Sequence, residues 1–187
     1  DEVKKVIDDI KDLLRRVEEV SRRVNKELER LLREVREVNK DVKRKLEELL
    51  RRVKEVVRRD GGESEEVKRI IDRIVEEAEE LVRRVNRLNE EVVREAKELV
   101  DRSMKIIEKV VEDIERLVRE LLRKEGEDTD LAERVRKVLE DVTRAAKELI
   151  KRDKKSLEDV KREIEKLSRD VKRVLEKVAE DAKDTLR

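Results

Sequence analysis

Apolar residues recur along this chain at spacings of three and four. In EVSRRVNKELERLLREVREVNKDV, residues 19–42, Val20, Val24, Leu28, Leu31, Leu32, Val35, Val38 and Val42 fall on one face of a helix. The pattern follows an 18-residue repeat: VKKVIDDIKDLLRRVEEV (3–20) aligns with SRRVNKELERLLREVREV (21–38) and NKDVKRKLEELLRRVKEV (39–56). IIDRIVEEAEELVRRVNR (70–87), LNEEVVREAKELVDRSMK (88–105) and IIEKVVEDIERLVRELLR (106–123) align in the same way. The last third is looser, with Leu131, Leu149, Leu167 and Leu139, Leu157, Leu175 at that interval. Eighteen residues are five turns at about 3.6 residues per turn, so the apolar stripe runs parallel to the helix axis. A heptad seam would drift and impose a left-handed supercoil. Nearly straight, untwisted helices are therefore expected.

Glycine occurs only at Gly61, Gly62 and Gly126 and cuts the chain into three pieces. In RRDGGESEE, basic residues close one helix, the glycines permit a left-handed cap, and Ser64 can cap the next helix. RKEGEDTDLAE repeats the logic with Gly126 and a Thr129/Asp130 cap, and Asp130 and Glu133 have capping-box spacing. Either Thr129 or Asp130 could occupy the cap. The expected organisation is a single unit over 1–187: helix 1 about 2–59, loop 60–63, helix 2 about 64–125, loop 126–129 and helix 3 about 130–186. Each apolar arc is wide enough to touch two neighbours, and short loops make consecutive helices antiparallel. The fold class is all-α, an elongated antiparallel three-helix bundle of ~60-residue helices, each about 90 Å long.

Polar residues interrupt these arcs. With helix 1 residue i set level with 124 − i in helix 2 and i + 127 in helix 3, the interruptions fall at two heights. One layer holds Ser21, Asn25, Ser103 and Asp153, and the other Asn39, Asn86, Asn89 and Ser168. In this register Ser21 lies opposite Ser103, and Asn39 lies level with Asn86, with Asn89 one turn away. The layers stand about 24 Å apart by helical rise, and Ser156 and Thr143 sit at arc edges, where each could attach to the first layer or face water. A lone buried amide leaves donors without partners, whereas facing polar groups satisfy one another. Such layers would also fix register, because sliding a helix would set each polar group against Leu or Val.

Composition narrows the chemistry. Of 187 residues, 56% are charged, yet 53 basic and 52 acidic residues nearly cancel. High charge alone would permit disorder, but phased apolar residues can bury together. Phe, Trp, Tyr, His, Cys, Pro and Gln are absent. There is thus no thiol, no usual general base near neutral pH and no aromatic platform for single-stranded nucleic acid. The sequence DEVKKVIDDI starts acidic and lacks a signal peptide's apolar block, and no apolar run approaches membrane-spanning length. No targeting segment is expected, and a bacterially expressed chain would stay in the cytoplasm.

Sharper chemical readings compete with this one. Asp153 with Asn25, Ser21 and Ser103 offers oxygens to a cation, but hard cations want several carboxylates. Carboxylate pairs such as Asp8/Asp9 and Glu79/Glu80 belong to the polar face, with no cleft implied, so no enzyme activity and no cofactor are expected. Basic clusters such as Lys43–Arg44–Lys45 are interleaved with acids, which argues against nucleic acid. A lipid-surface role lacks aromatic anchors.

The LLRRV/LLREV and EELVRRV/KELVDRS repeats, the GG and GEDTD loops and the seven missing residue types resemble de novo designed, parametrically built straight three-helix bundles with buried polar networks. The resemblance covers the whole chain. It implies high thermal stability, no evolved ligand and a structural role as a scaffold. Asp153 departs from it, since such networks favour neutral groups. The expectation is a monomer that requires no partner. The competing reading is an oligomerisation or protein-binding module, on which a wide apolar arc on helix 2 (Val75, Val82, Val93, Val100, Val111, Val118) drives assembly.

Overall fold

The computed structural model describes residues 2–61, 64–126 and 129–185. These form three α-helices, α1 (Glu2–Asp60), α2 (Glu65–Glu125) and α3 (Asp130–Thr185), packed as an all-α three-helix bundle. Glu, Lys, Arg and Leu are strong helix formers, and the weaker propensity of the many valines is offset by burial. Acidic Glu65 and Glu66 open α2, while Arg123 and Lys124 close it, so both ends match the helix dipole.

Backbone geometry sets the ends. Gly61 and Gly126 have φ of 71° and 90°, and their amides donate to the carbonyls of Val57 (3.1 Å) and Leu122 (3.0 Å). Each is the left-handed residue that closes a helix by a bond to the carbonyl four residues back. At the next starts, the Ser64 hydroxyl accepts from the Val67 amide at 3.1 Å and the Thr129 hydroxyl from the Ala132 amide at 3.2 Å. Thr129 therefore holds the cap, and Asp130 is the first helical residue, where its charge faces the positive helix end. Gly62 lies outside the described residues.

Contacts divide the chain into two compact units. Unit 1 comprises Asp1–Glu29 and Ala96–Asp159, and unit 2 comprises Arg30–Glu95 and Val160–Arg187. Each draws on all three helices. In unit 1, Ile10, Ile114, Val118 and Val135 form one apolar cluster, and Val17, Ile107 and Ala146 another. In unit 2, Leu46, Val53, Ile74, Val85 and Val178 belong to the main cluster, and Val67, Ile71 and Ala182 to a smaller one. Helix directions follow from pairs within unit 2. Arg52 meets Glu77 and Asn39 meets Asn89, so α1 and α2 run antiparallel. Arg36 meets Glu163 and Lys54 meets Asp181, so α1 and α3 run parallel.

Burial follows the rhythm of the repeat. Ile10, Leu28 and Leu46 are buried on α1, Ala78, Ala96 and Ile114 on α2, and Val142, Val160 and Val178 on α3. A burial pattern with this period returns after five turns of an undistorted α-helix. One detail departs from the sequence expectation: Val38, placed on the apolar face, is 37% exposed. On the polar face Arg22 and Arg83 pair with Glu19 and Glu80, three residues back. On an exposed surface such three- and four-residue alternatives differ by only tenths of a kcal/mol.

Candidate functional site

The polar residues that interrupt the stripe occupy slots that the repeat otherwise fills with hydrocarbon. Val3, Ser21 and Asn39 share one slot of the repeat and are all buried, as are Ile71, Asn89 and Ile107 on α2. Ser103 shares a slot with Val67, Val85 and Leu121, and Asp153 with Val135 and Val171. Each of these polar groups therefore faces the interior and must find its partners inside the protein.

In unit 1 the partners converge on Asp153, which is 0% exposed. Its Oδ1 accepts from the Ser21 hydroxyl at 2.8 Å and from Asn25 Nδ2 at 3.1 Å, and its Oδ2 accepts from the Ser103 hydroxyl at 2.8 Å. The second Asn25 amide proton goes to the Ser21 carbonyl at 2.8 Å. The Asn25 Oδ1 accepts from Ser156 at 2.7 Å, which joins Ser156 to the layer. Ser21 and Ser103, expected opposite one another, meet through the two oxygens of a single carboxylate. A carboxyl whose two oxygens both accept from hydroxyl and amide donors is buried with its polar atoms satisfied.

In unit 2 the centre is an amide pair. Asn39 Nδ2 donates to Asn89 Oδ1 at 2.8 Å, and Asn89 Nδ2 donates back to Asn39 Oδ1 at 3.1 Å. Their remaining protons reach the Val35 carbonyl at 2.8 Å and the Ser168 hydroxyl at 2.9 Å. Asn86 is not part of this layer. It is exposed, and its place in the repeat is held by half-buried Lys68 and Met104. Three residues from Asn89, it is turned about 60° away from the buried face at 100° per residue. The partner of Asn39 is thus one turn further along α2 than the level of Asn86. Among the described residues, no buried side-chain nitrogen or oxygen lacks a hydrogen-bond partner.

Chemically, the unit 1 layer brings two serines to a carboxyl group, with Ser21 and Ser103 each only 1% exposed and their hydroxyls donating to Asp153. Among the described residues no group of three or more His, Cys, Asp or Glu is placed to hold a metal ion. None of the described helices is long and apolar enough to cross a membrane. At the surface, Arg36 Nε donates to Glu163 Oε1, and Arg36 Nη2 donates to Glu163 Oε2 at 2.8 Å. This two-pronged bond holds the Glu163 carboxyl below the usual carboxylate range, against the opposing effect of partial burial.

No protein-family model matches the sequence, and no characterised protein matches it. Among solved structures, the chain is similar to one described as a computationally designed three helix bundle, with a TM-score of 0.66 at 18% identity over 99% of this chain and 87% of that one.

Proposed function

We propose that this protein is a designed structural scaffold with no enzymatic activity, working as a monomer whose two polar layers select one helix register. The observation that carries this reading is that each layer draws residues from all three helices and leaves no buried polar side-chain atom without a partner. Apolar contacts among Val, Leu and Ile tolerate a shift by one repeat, whereas the Asn39–Asn89 exchange does not. Burying polar groups does not itself add much stability, since exchanging hydrogen bonds with water for internal ones is worth only about 1 kcal/mol each. Specificity is what such a layer contributes.

The test replaces each layer by the hydrocarbon of its own repeat: Ser21→Val, Ser103→Val and Asp153→Val with Asn25→Ile in one protein, and Asn39→Val, Asn89→Ile and Ser168→Ile in another. Expected are equal or higher thermal stability and broadened methyl resonances, or more than one set of them, reporting several registers. A single sharp set of resonances in both proteins would remove the register role.

A second reading, assembly through exposed apolar surface, is favoured by Ile106, which is 45% exposed, and by the half-buried Val75, Val93 and Val111. Light scattering coupled to size exclusion separates the two. The mass of a single chain at every dilution supports the monomer, and a mass that grows with concentration supports assembly.

A further inference from the structure

The two layers end differently. In unit 1 the hydrogen-bond chain closes on the Asp153 carboxyl, where Ser21, Asn25 and Ser103 all deliver their protons. In unit 2 the reciprocal Asn39–Asn89 pair donates outward at both ends, from Asn39 to the Val35 carbonyl and from Asn89 to the Ser168 hydroxyl oxygen. Both amide groups are fully used, and Ser168 accepts from Asn89. The Ser168 hydroxyl proton is left as the last donor of the chain.

That hydroxyl lines a groove of about 700 Å³ between α2 and α3, with Val93 and Ile164 as apolar walls and Asn89 also in its lining. The groove has a sequence origin. One repeat away, Met104 takes the place of Asn86 and Ile150 the place of Ser168. In unit 2 a thioether chain and a branched hydrocarbon are thus replaced by an exposed amide and a hydroxymethyl. The rim carries Glu90 and Arg94 from α2 and Glu165 and Arg169 from α3, two acids balanced by two bases. An electroneutral rim gives no preference for an anion or a cation.

We propose that this groove is a binding site for a small, neutral, apolar molecule bearing one hydrogen-bond acceptor, such as an aryl ketone, with the Ser168 hydroxyl as donor to its carbonyl oxygen. The size suits it, since small-molecule sites commonly span ~300–1,000 Å³, with apolar walls and few polar groups. Donation from Ser168 to a ligand also strengthens the bond that its oxygen accepts from Asn89. The site goes beyond the scaffold reading, which stands whether or not the groove is filled.

The probe is Prodan, a neutral naphthalene with one ketone oxygen, compared with its analogue carrying a propyl group in place of the propionyl. The chain has no aromatic residue, so all fluorescence is the probe's. Expected is saturable binding, with amide resonance shifts confined to Asn89, Val93, Ile164 and Ser168. Ser168→Ala should lower the preference for Prodan over the propyl analogue by about three- to tenfold, the range for one net hydrogen bond. Because that change also removes an acceptor from Asn89, a second variant outside the layer is needed. Val93→Arg should abolish binding, while Val111→Arg, at the equivalent place of the next repeat and in unit 1, should leave it intact. Circular dichroism checks that each variant is folded. Absence of saturation up to the solubility of Prodan, shifts centred elsewhere, an unchanged preference in Ser168→Ala, or equal loss in Val93→Arg and Val111→Arg would each overturn the proposal.

Discussion

Asn39 of α1 and Asn89 of α2 exchange two hydrogen bonds, at 2.8 and 3.1 Å, each side chain donating to the other's oxygen while 2% exposed. Removing one member strands the other. Asn39→Val leaves the Asn89 oxygen without a donor and one of its protons without an acceptor, at about 1–3 kcal/mol for each unsatisfied group. Asn89→Ile does the same to Asn39. The double variant removes both needs and adds two hydrocarbons already used in these slots, by Val3 and by Ile71 and Ile107. The expected outcome is strong non-additivity, with each single variant destabilised by about 2–4 kcal/mol and the double near wild type. Guanidinium unfolding followed by circular dichroism reads all four proteins, and simple additivity would show that the two amides do not depend on one another.

Asp153 makes a sharper version of the same argument. Three donors from α1 and α2 point at its two oxygens. Asp153→Asn keeps size and shape but turns one oxygen into an NH₂ that meets donors. With the NH₂ on the Oδ2 side, the Ser103 hydroxyl can rotate to accept from it, while Ser21 and Asn25 keep the remaining oxygen as their acceptor. One amide proton is left without an acceptor, so a loss of about 1–3 kcal/mol is expected. Adding Ser103→Ala to Asp153→Asn removes the acceptor of the other amide proton and should deepen the loss. Equal stability of Asp153→Asn and wild type would mean that the carboxyl is not required as an acceptor.

How much of this is legible in the sequence varies residue by residue. Ser21, Asn39, Ser103 and Asp153 are readable because each breaks a slot that the repeat elsewhere fills with Val, Ile or Leu. Gly61 and Gly126 are readable because nothing else in the chain tolerates positive φ so readily. Asn86 and Asn89 cannot be separated in this way. They differ by three residues, within one turn, and level-matching from the loops alone sets α2 about a turn short, since cap geometry and packing place one helix against the next. Ser156 sits at the edge of its arc, so periodicity leaves open whether it joins the first layer or faces water, and the way the Asn25 amide turns decides for the layer. The α2–α3 groove is hidden for a related reason: Ser168 reads as a layer member, while its effect on volume shows only beside Ile150 in the same slot.

The Arg36–Glu163 pair predicts a small pH effect of known sign. The fold holds the Glu163 carboxyl below its ordinary range, chiefly through the hydrogen bond from Arg36. The stabilisation is therefore fully present above the unfolded carboxylate's pKa and is lost as pH falls through the lower folded value. Both side chains are partly exposed, 51% for Arg36 and 32% for Glu163, so screening keeps the contribution to about 0.2–1 kcal/mol. Glu163→Gln should be less stable than wild type at pH 7, and the gap should close in acid. Thermal melts of both proteins from pH 7 to pH 2 give the comparison, and a gap that widened on acidification would contradict the sign.

The glycine closing α2 isolates a purely backbone effect. Gly126 has φ of 90°, and a Cβ built on it meets nothing within 4 Å. Any cost of Gly126→Ala therefore comes from the strain of an L-residue in the left-handed region, about 1–2 kcal/mol, and not from a clash. Asparagine, which visits that region more readily, should cost less than alanine. D-alanine inverts the preference: its Cβ favours positive φ and it restricts the unfolded chain, so a gain of about 0.4–1 kcal/mol is expected. Semisynthesis of the three variants and denaturant titration gives the order D-Ala, Gly, Asn, Ala from most to least stable. If L-alanine matched glycine, the helix would be ending without its left-handed residue, and the bond from the Gly126 amide to the Leu122 carbonyl would have to be replaced by another closure.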